Sequence, residues 1–276
     1  MRCIEMIEET AEHFWDGVGC LRGMLYRPVC SERPVALVMC PPFGEERKSA
    51  ARIMTLAARA LARRGVFVLR FDYYGTGESD GKLSQASVDR WLDDIRKARK
   101  HLAARSGVRS VGVLGIRFGA TLAALLSTEQ APLPLLVLWG PLLWGGACIE
   151  ETRRHLDATR LVTASRAGGL PCEITARSGG WDMGGFRLTN RFARNLERIV
   201  LPEGTRTRAQ RVVLVVFSGR RDVPSEHAQL AEKLTTPSGD AHCLTYPARP
   251  FWVTASRYDP TELVERTCAA VDGGEP

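Results

Sequence analysis

One stretch of the sequence limits strongly what this chain can fold into: VGVLGIRFGATLAALL, residues 111–126. It opens with a short apolar run that is typical of a buried strand, and the alanine- and leucine-rich residues after Gly119 predict a helix. Gly115 and Gly119 suit a tight turn between the two elements, with Arg117 at its centre. A strand that turns directly into a helix is the repeating unit of parallel sheets with flanking helices. This stretch therefore predicts an α/β fold.

The rest of the chain repeats the alternation of short apolar runs and helical patterns. Strands are predicted at 34–40, 66–72, 111–115, 133–140, in the first part of 211–224, and near 242–246. Helices are predicted over 48–64, 84–104, from near 119, over 225–234 and over 260–271, after an early hairpin at 13–27. This order predicts one large α/β domain, with a mostly parallel central sheet flanked by helices.

Residues 141–205 do not follow this alternation of strands and helices, and they contain glycine pairs and mixed-charge stretches. A segment of this length inside a compact domain is better explained as a lid over a site than as an unstructured loop. We therefore assign residues 1–140 and 206–276 to the core and residues 141–205 to a lid, or cap, insertion.

Composition indicates the cellular location of the protein and the state of its cysteines. No apolar run reaches the roughly 18 residues of a membrane-spanning helix, and the first residues, MRCIEMIEETAEHFWDG, do not resemble a signal peptide. We therefore expect a cytoplasmic protein with no membrane span. The eight cysteines form no CxxC pair, so we expect reduced thiols, no metal site and no cofactor.

The charge of the chain is positive, with 38 Lys and Arg against 31 Asp and Glu and a formal net charge of +7. A solvated, arginine-rich surface is the simple interpretation. The alternative is an acidic partner or substrate, such as a carrier protein or an anionic acyl group. The basic residues are dispersed and show no recognised nucleic-acid motif, so we expect no nucleic-acid partner. A homodimer stays open.

Four segments together resemble the α/β-hydrolase fold over nearly the whole chain. In chain order they are CPPFGEERKSA at 40–50, FDYYGTGESDG at 71–81, GIRFGA at 115–120 and SGRRDVP at 218–224. Within this fold, the sequence most resembles the exosortase A system-associated hydrolases, which are related to serine aminopeptidase-like hydrolases. The segments PPFGEERKSA, WLDDIRKA, GIRFGA, GGWDMGGFRLT and YPARPFW carry that finer resemblance.

The resemblance implies a triad of serine, acid and histidine in chain order, and two of its positions are changed here. The serine position is Arg117, and an arginine stays protonated and cannot attack a carbonyl. The histidine position falls on Pro250 or Phe251. The acid position is kept as Asp222, with helix capping or pairing to a neighbouring arginine as its structural alternative. Ordinary serine-hydrolase chemistry is therefore expected to be absent, although His227 stays open as a substitute base.

Two interpretations of Arg117 stay open. A helix N-terminus favours an anion, and a fixed guanidinium adds bidentate recognition of carboxylate or phosphate. Arg117 would then hold an anionic group of a ligand. Alternatively, Arg117 forms an internal ion pair with Asp222 or with a carboxylate of the lid.

The loop after the 34–40 strand is the second part of the predicted site. Pro41 and Pro42 have no N–H group, which leaves the backbone N–H groups of Phe43 or Gly44 to act with that of Phe118. Such a pair could polarise a carbonyl group, and electrostatic stabilisation of this kind is often the largest catalytic contribution.

Three further side chains are candidates for catalysis. Cys40 ends the strand beside this loop, and a thiol near Arg117 with a lowered pKa would be a nucleophile; an inert buried cysteine is the alternative. Glu45 and Glu46 suit acid–base work or pairing with Arg117, and a charged helix entry before Lys48 explains them equally well.

Two functions from different classes follow. The first is an enzyme, a hydrolase or acyltransferase without a serine–histidine pair, acting on an ester, thioester or amide whose anionic group Arg117 holds. The alternative is a catalytically inactive binding or accessory protein for an anionic acyl ligand or an acidic carrier protein. The expected substrate is a small-molecule or carrier-bound acyl compound.

Overall fold

The fold is taken from a computed structural model, which describes residues 6–29, 35–127, 133–164, 176–177, 180–182, 185–201, 209–219, 222–247, 250–252 and 259–272. Its strands are β1 (Ile7–Trp15), β2 (Cys20–Pro28), β3 (Ala36–Cys40), β4 (Phe67–Phe71), β5 (Val111–Ile116), β6 (Leu136–Trp139), β7 (Ala176–Arg177), β8 (Gly180–Asp182), β9 (Arg187–Thr189), β10 (Ala209–Phe217) and β11 (Thr235–Tyr246). Its helices are α1 (Glu45–Arg63), α2 (Val88–Ser106), α3 (Phe118–Ser127), α4 (Ala147–Ala164), α5 (Asn190–Glu197), α6 (Ser225–Lys233) and α7 (Thr261–Asp272).

The central sheet has eight strands in the order β1-β2-β4-β3-β5-β6-β10-β11. β1 and β2 form an antiparallel hairpin, and β2 runs antiparallel to β4. From β4 to β11 all neighbours are parallel. The predicted fold class, a mostly parallel sheet flanked by helices, is confirmed.

Helices cover both faces of the sheet, which is why the central strands are apolar along their whole length. Every residue of β3, β5 and β6 is buried. The apolar faces of α1 and α7 pack on one face of the sheet, and those of α2, α3, α5 and α6 pack on the other. Trp91 of α2 and Trp139 of β6 are among the largest fully buried side chains, one in each layer.

Several elements differ from their predicted bounds; the hairpin begins at Ile7 rather than at residue 13, and α2 begins at Val88 rather than at residue 84. α1 begins at Glu45 rather than at residue 48, because Gly44, with φ of 64°, turns the chain into the helix. β11 begins at Thr235 rather than near residue 242, and its register with β10 shifts between Ala209 and Arg211. β11 is an edge strand, where proline and irregular pairing are tolerated, so Pro237 does not stop it.

The segment predicted as a lid contains regular structure. It holds α4, the small antiparallel sheet β7-β8-β9, and α5. Phe192 and Leu196 of α5 are buried in the core, and the Phe192 ring centre lies 5.0 Å from that of Trp91. Residues 165–175, 178–179, 183–184 and 202–205 of this segment lie outside the described residues. Its role as a lid stays a prediction.

Candidate functional site at the strand β5 to helix α3 turn

The turn between β5 and α3 has the geometry that its glycines predict. Arg117 has φ of 54°, and it is the only non-glycine residue with positive φ among those the structure describes. A Cβ atom on Gly115 would lie 2.4 Å from Ala120 Cα, and one on Gly119 would lie 2.4 Å from the carbonyl oxygens of Cys40 and Pro41. The turn is therefore an elbow that presents residue 117 at its tip, as the sequence predicts.

The Arg117 side chain is buried, with 7% of its residue surface exposed, and is held from several sides. Nε donates to Glu46 Oε1 of α1 at 3.1 Å, and Nη1 donates to the carbonyl oxygen of Gly140 at 3.2 Å. Nη2 donates to the Glu151 carboxylate of α4. The guanidinium carbon lies 4.5 Å from the ring centre of Trp252, a cation–π distance. The elbow therefore binds two carboxylates at the place where the resemblance implies a nucleophile.

The two carboxylates are not equivalent. The Glu46 side chain is 23% exposed, whereas that of Glu151 is 43% exposed. Burial raises the pKa of Glu46, and the charge and hydrogen bond of Arg117 oppose that rise. Glu46 is thus an inner carboxylate whose proton affinity is increased, and Glu151 is an outer, partly solvated one.

Asp222 lies in the loop between β10 and α6 and is exposed. No hydrogen bond or ion pair joins it to Arg117 within the described part of the chain. The internal partners of Arg117 are therefore glutamates, one from α1 and one from α4. Of the two interpretations of Arg117, the internal pair is present in this structure, with Glu151 as a carboxylate from the predicted lid segment.

The chain after β11 brings aromatic rings to the place where the resemblance implies a histidine. Phe251 is fully buried, with its ring centre 6.2 Å from that of Trp139 and 5.6 Å from that of Phe217. Trp252 lies against Arg117. No described histidine side chain forms a hydrogen bond or ion pair with Arg117 or Asp222.

Two histidines near the end of the sheet, His242 and His227, form no hydrogen bond or ion pair with the elbow in the described part of the chain. His242 lies 2.8 Å from Asp240 Oδ2 on β11. His227 lies on α6, where burial lowers its pKa and its Nδ1 atom has no hydrogen-bond partner among the described residues. A base with a lowered pKa is neutral at pH 7, but nothing in the described structure joins His227 to the elbow.

The predicted carbonyl-polarising loop is next to the elbow. Phe43 follows the two prolines, and Gly44 caps the start of α1. Phe118 is the first residue of α3, so its N–H group has no partner within the helix. The N–H group of Phe43 donates no hydrogen bond to a described residue. Both donors stay predictions, and the close approach at Gly119 brings their two segments together.

The prediction of a lowered pKa at Cys40 is wrong. Cys40 is fully buried at the end of β3. Burial raises the pKa of its thiol to about 12, and the neighbouring Tyr73 hydroxyl opposes that rise only in part. The thiol therefore stays protonated at neutral pH, and the structure does not favour Cys40 as a nucleophile. Glu45 pairs with Lys48 at 2.6 Å and is half-exposed, as a charged helix entry would be.

Two contacts of the site were not predicted by residue number. Glu151 follows Glu150 in α4, and a pair of acidic residues in a mixed-charge helix gives no signal that one of them reaches the elbow. Trp252 is the last residue of the YPARPFW segment, whose sequence predicted no contact with the elbow. In the described part of the chain, no cluster of three or more metal-binding side chains occurs, and no helix has the length and hydropathy to cross a membrane.

The strand order, the helices on both faces of the sheet and the elbow together define the class of protein: the chain has the α/β-hydrolase fold. Solved structures with this fold include Est1E of Butyrivibrio proteoclasticus with ferulic acid bound, with 20% identity, a TM-score of 0.65, and 95% of this chain and 97% of that chain covered. The Pyrococcus furiosus esterase PF2001 has 15% identity and a TM-score of 0.65, with 98% and 92% covered. XC6422 of Xanthomonas campestris, an α/β serine hydrolase without a lid, has 18% identity and a TM-score of 0.59, with 96% and 94% covered.

Residues 37–169, from β3 past α4, match the family of serine aminopeptidases, S33. No curated protein matches the chain. The family match supports, in general terms, a hydrolase-type function, and the structural neighbours share the fold.

Proposed function

We propose that the chain is a hydrolase-type enzyme for an ester, thioester or amide that carries an anionic group, and that Arg117 holds this group. The observation that carries the proposal is the buried Arg117 guanidinium at the elbow tip with a carboxylate on each of two nitrogens. A position that binds two internal carboxylates has the charge and the donors to bind the carboxylate or phosphate of a ligand.

The outer carboxylate is the one that a ligand would replace. Glu151 is 43% exposed, so its ion pair with Arg117 contributes at most about 1 kcal/mol. A ligand anion that takes its place keeps the guanidinium paired and adds the favourable field of the α3 N-terminus. Glu46 stays in place on the inner side.

Glu46 is the proposed general base. Burial raises its pKa, which moves the carboxyl group toward the range where it can exchange a proton near neutral pH. In this mechanism the N–H groups of Phe43 and Phe118 polarise the substrate carbonyl while a water molecule attacks its carbon. Glu46 takes the proton of that water and returns it to the leaving oxygen, sulfur or nitrogen. No covalent intermediate forms on the enzyme.

The neighbours are compatible with such a substrate. Est1E was solved with ferulic acid, an aromatic carboxylic acid, and PF2001 is an esterase. At 20% identity or less these similarities extend to this chain only as support for an acyl compound as the substrate class. An acidic carrier, a cytoplasmic location and a link to exosortase systems rest on sequence alone and stay proposals.

The second candidate is a binding or accessory protein that holds the same kind of anionic acyl compound without cleaving it. The observation that favours it is the aromatic filling of the histidine position by Phe251 and Trp252, with Asp222 left exposed. A site without a triad base and with its arginine already paired is suited to binding alone.

Turnover of a panel of activated esters and acyl thioesters with and without a terminal carboxylate separates these candidates, with intact-protein mass measured in parallel. We expect product from the carboxylated members, no covalent adduct, and a loss of kcat of about 10²-fold or more in Glu46→Gln. Glu45→Gln, one position away and exposed, is the matched control and should keep full activity. Glu151→Gln should lower KM for the carboxylated members only.

Three results would revise the proposal. Turnover that Glu46→Gln leaves unchanged would remove Glu46 from the chemistry. A covalent acyl adduct would require a nucleophile on the protein. Saturable binding of the carboxylated compounds with no product would establish the binding protein instead.

A further inference from the structure

We infer that the chain has a second ligand site beside the elbow, for an organic anion with a flat aromatic body. The site is a cavity of about 440 Å³ between the loop after β3, the turn after β4 and the start of β9. This volume lies within the range of small-molecule sites. The lining shares the Phe43 segment with the proposed catalytic site but contains neither Arg117, Glu46 nor Asp222, so the inference does not require Arg117 to hold a ligand.

Aromatic rings surround this cavity: Phe186 is partly exposed, and Phe43, Tyr73 and Trp91 are buried in the core next to it. The rings of Tyr73 and Trp91 stack at 4.9 Å with an angle of 19° between their planes. The Phe43 ring centre lies 5.5 Å from that of Trp91 and 5.9 Å from that of Phe186. All four residues line the cavity. Such rings favour a flat aromatic group, since offset and edge-to-face contacts with it add to the gain from burying apolar surface.

The charged residues that line the cavity are all cations: Arg47, Lys48, Lys82 and Arg187. Arg47 is paired with Asp72 at 3.0 Å, and Lys48 is paired with Glu45 at 2.6 Å. These two therefore have their charge balanced by carboxylates that lie outside the cavity lining.

Lys82 and Arg187 are the cations left for a ligand. Both residues are exposed, and neither forms an ion pair with a described residue. They are held on neighbouring segments, because β9, which begins at Arg187, packs against the helical turn Leu83–Gln85 that follows Lys82. Two cations on adjacent segments, over an aromatic slot without a lining carboxylate, select a ligand with a negative charge at its exposed end.

The turn that carries Tyr73 holds these segments in place. Gly75 has φ of 77°, and a Cβ atom there would lie 2.7 Å from the carbonyl carbon of Lys82. The Gly75 N–H group donates to Asp80 O at 2.8 Å. The cavity is thus built from a tight turn, which limits how far Lys82 can move from the aromatic rings.

The test measures binding of naphthoate, a flat aromatic carboxylate, and of its uncharged methyl ester by isothermal titration calorimetry. We expect saturable 1:1 binding of naphthoate to the wild-type chain. The double variant Lys82→Gln/Arg187→Gln should bind naphthoate about tenfold more weakly, or about 1.4 kcal/mol. The methyl ester should bind the wild type with a similar loss, and salt should weaken the binding of naphthoate but not of the ester.

The matched control is Lys100→Gln/Arg109→Gln, which removes two exposed cations at the end of α2 and before β5, away from the cavity lining. It should bind naphthoate like the wild type. Ser84→Trp, at an exposed position of the lining, should block the cavity and abolish binding.

The inference is overturned if the wild type shows no saturable binding, or if both double variants bind alike. It is also overturned if naphthoate binding survives Ser84→Trp and is lost only when Arg117 is replaced. That last result would place the aromatic anion at the elbow and support the proposed function, so the two ideas can fail separately.

Discussion

Replacement of Arg117 by methionine should destabilise the fold, because it leaves Glu46 without its partner. The Arg117 side chain is 8% exposed and that of Glu46 is 23% exposed. Removal of one partner from a buried ion pair typically costs about 3–5 kcal/mol, and the partial exposure of Glu46 favours the lower end. Loss of the ion pair with the half-exposed Glu151 adds at most about 1 kcal/mol to this cost. We therefore expect a loss of about 3–4 kcal/mol in the free energy of unfolding at pH 8.

The loss should depend on pH, with a sign that follows from Glu46. Burial raises the pKa of this carboxyl group and Arg117 opposes the rise, so the variant raises it further. A carboxyl group with a higher pKa in the folded state binds more protons when folded, and its contribution to stability falls as pH rises from the unfolded pKa to the folded one. The destabilisation should therefore be smaller at pH 5 than at pH 8.

Urea unfolding of the wild type, Arg117→Met and Arg117→Met/Glu46→Gln at both pH values tests this reasoning, with circular dichroism and tryptophan fluorescence as the two probes. The double variant should recover most of the loss, because a neutral pair of similar volume removes the buried charge. Equal stability of Arg117→Met and the wild type at pH 8 would refute the reasoning. So would a double variant as unstable as the single one.

Three further predictions concern the surroundings of the elbow. Alkylation of the native protein at pH 8, read by peptide mass mapping, should leave the buried Cys40 unmodified, since burial raises its pKa to about 12, and among the cysteines that the structure describes it should reach the half-buried Cys20 first. Burial raises the pKa of Asp94 to about 6, so the free energy of unfolding of the wild type should fall as the pH rises from about 4 to 6. In Asp94→Asn, the free energy from urea unfolding should change less with pH over this range. Gly119→Ala should cost about 1–3 kcal/mol in the same assay, because its Cβ would meet backbone oxygens at 2.4 Å, whereas Gly219→Ala, with nothing within 4 Å, should be near neutral.

The fold was predictable because its strands are short, fully buried apolar runs separated by amphipathic helices. β3 and β6 lie inside the predicted ranges, β5 runs one residue past its predicted end, and α2 and α7 differ from their predicted bounds by a few residues. The bounds of β11 were wrong because its first residues, TTPSGDAHC, have neither an apolar run nor alternation. Thr235 and the residues from Asp240 onward pair with β10, because β10 offers a parallel edge, which is a property of the sheet and not of the segment.

The elbow was predictable from local sequence, whereas its contacts were not. Gly115 and Gly119 flank residue 117 at the spacing that the turn requires, so the place of Arg117 at the tip of the elbow follows from a few neighbouring residues. Its carboxylate partners come from α1 and α4, 71 and 34 residues away. Any of the acidic residues near the carboxyl edge of the sheet could pair with it on charge alone, and only the packing of helices on the sheet selects among them.

The chemistry of Arg117 favours a role in binding over one in stability alone. A left-handed conformation costs an L-residue about 1–2 kcal/mol, and a buried ion cluster is often no more stabilising than apolar side chains of the same volume. An apolar residue on a relaxed turn would therefore fill the elbow at lower cost. What an apolar residue cannot do is exchange one carboxylate for another. Glu46 is the more buried partner of the Arg117 guanidinium and Glu151 the more exposed one, and in the proposed function it is Glu151 whose place a ligand anion takes.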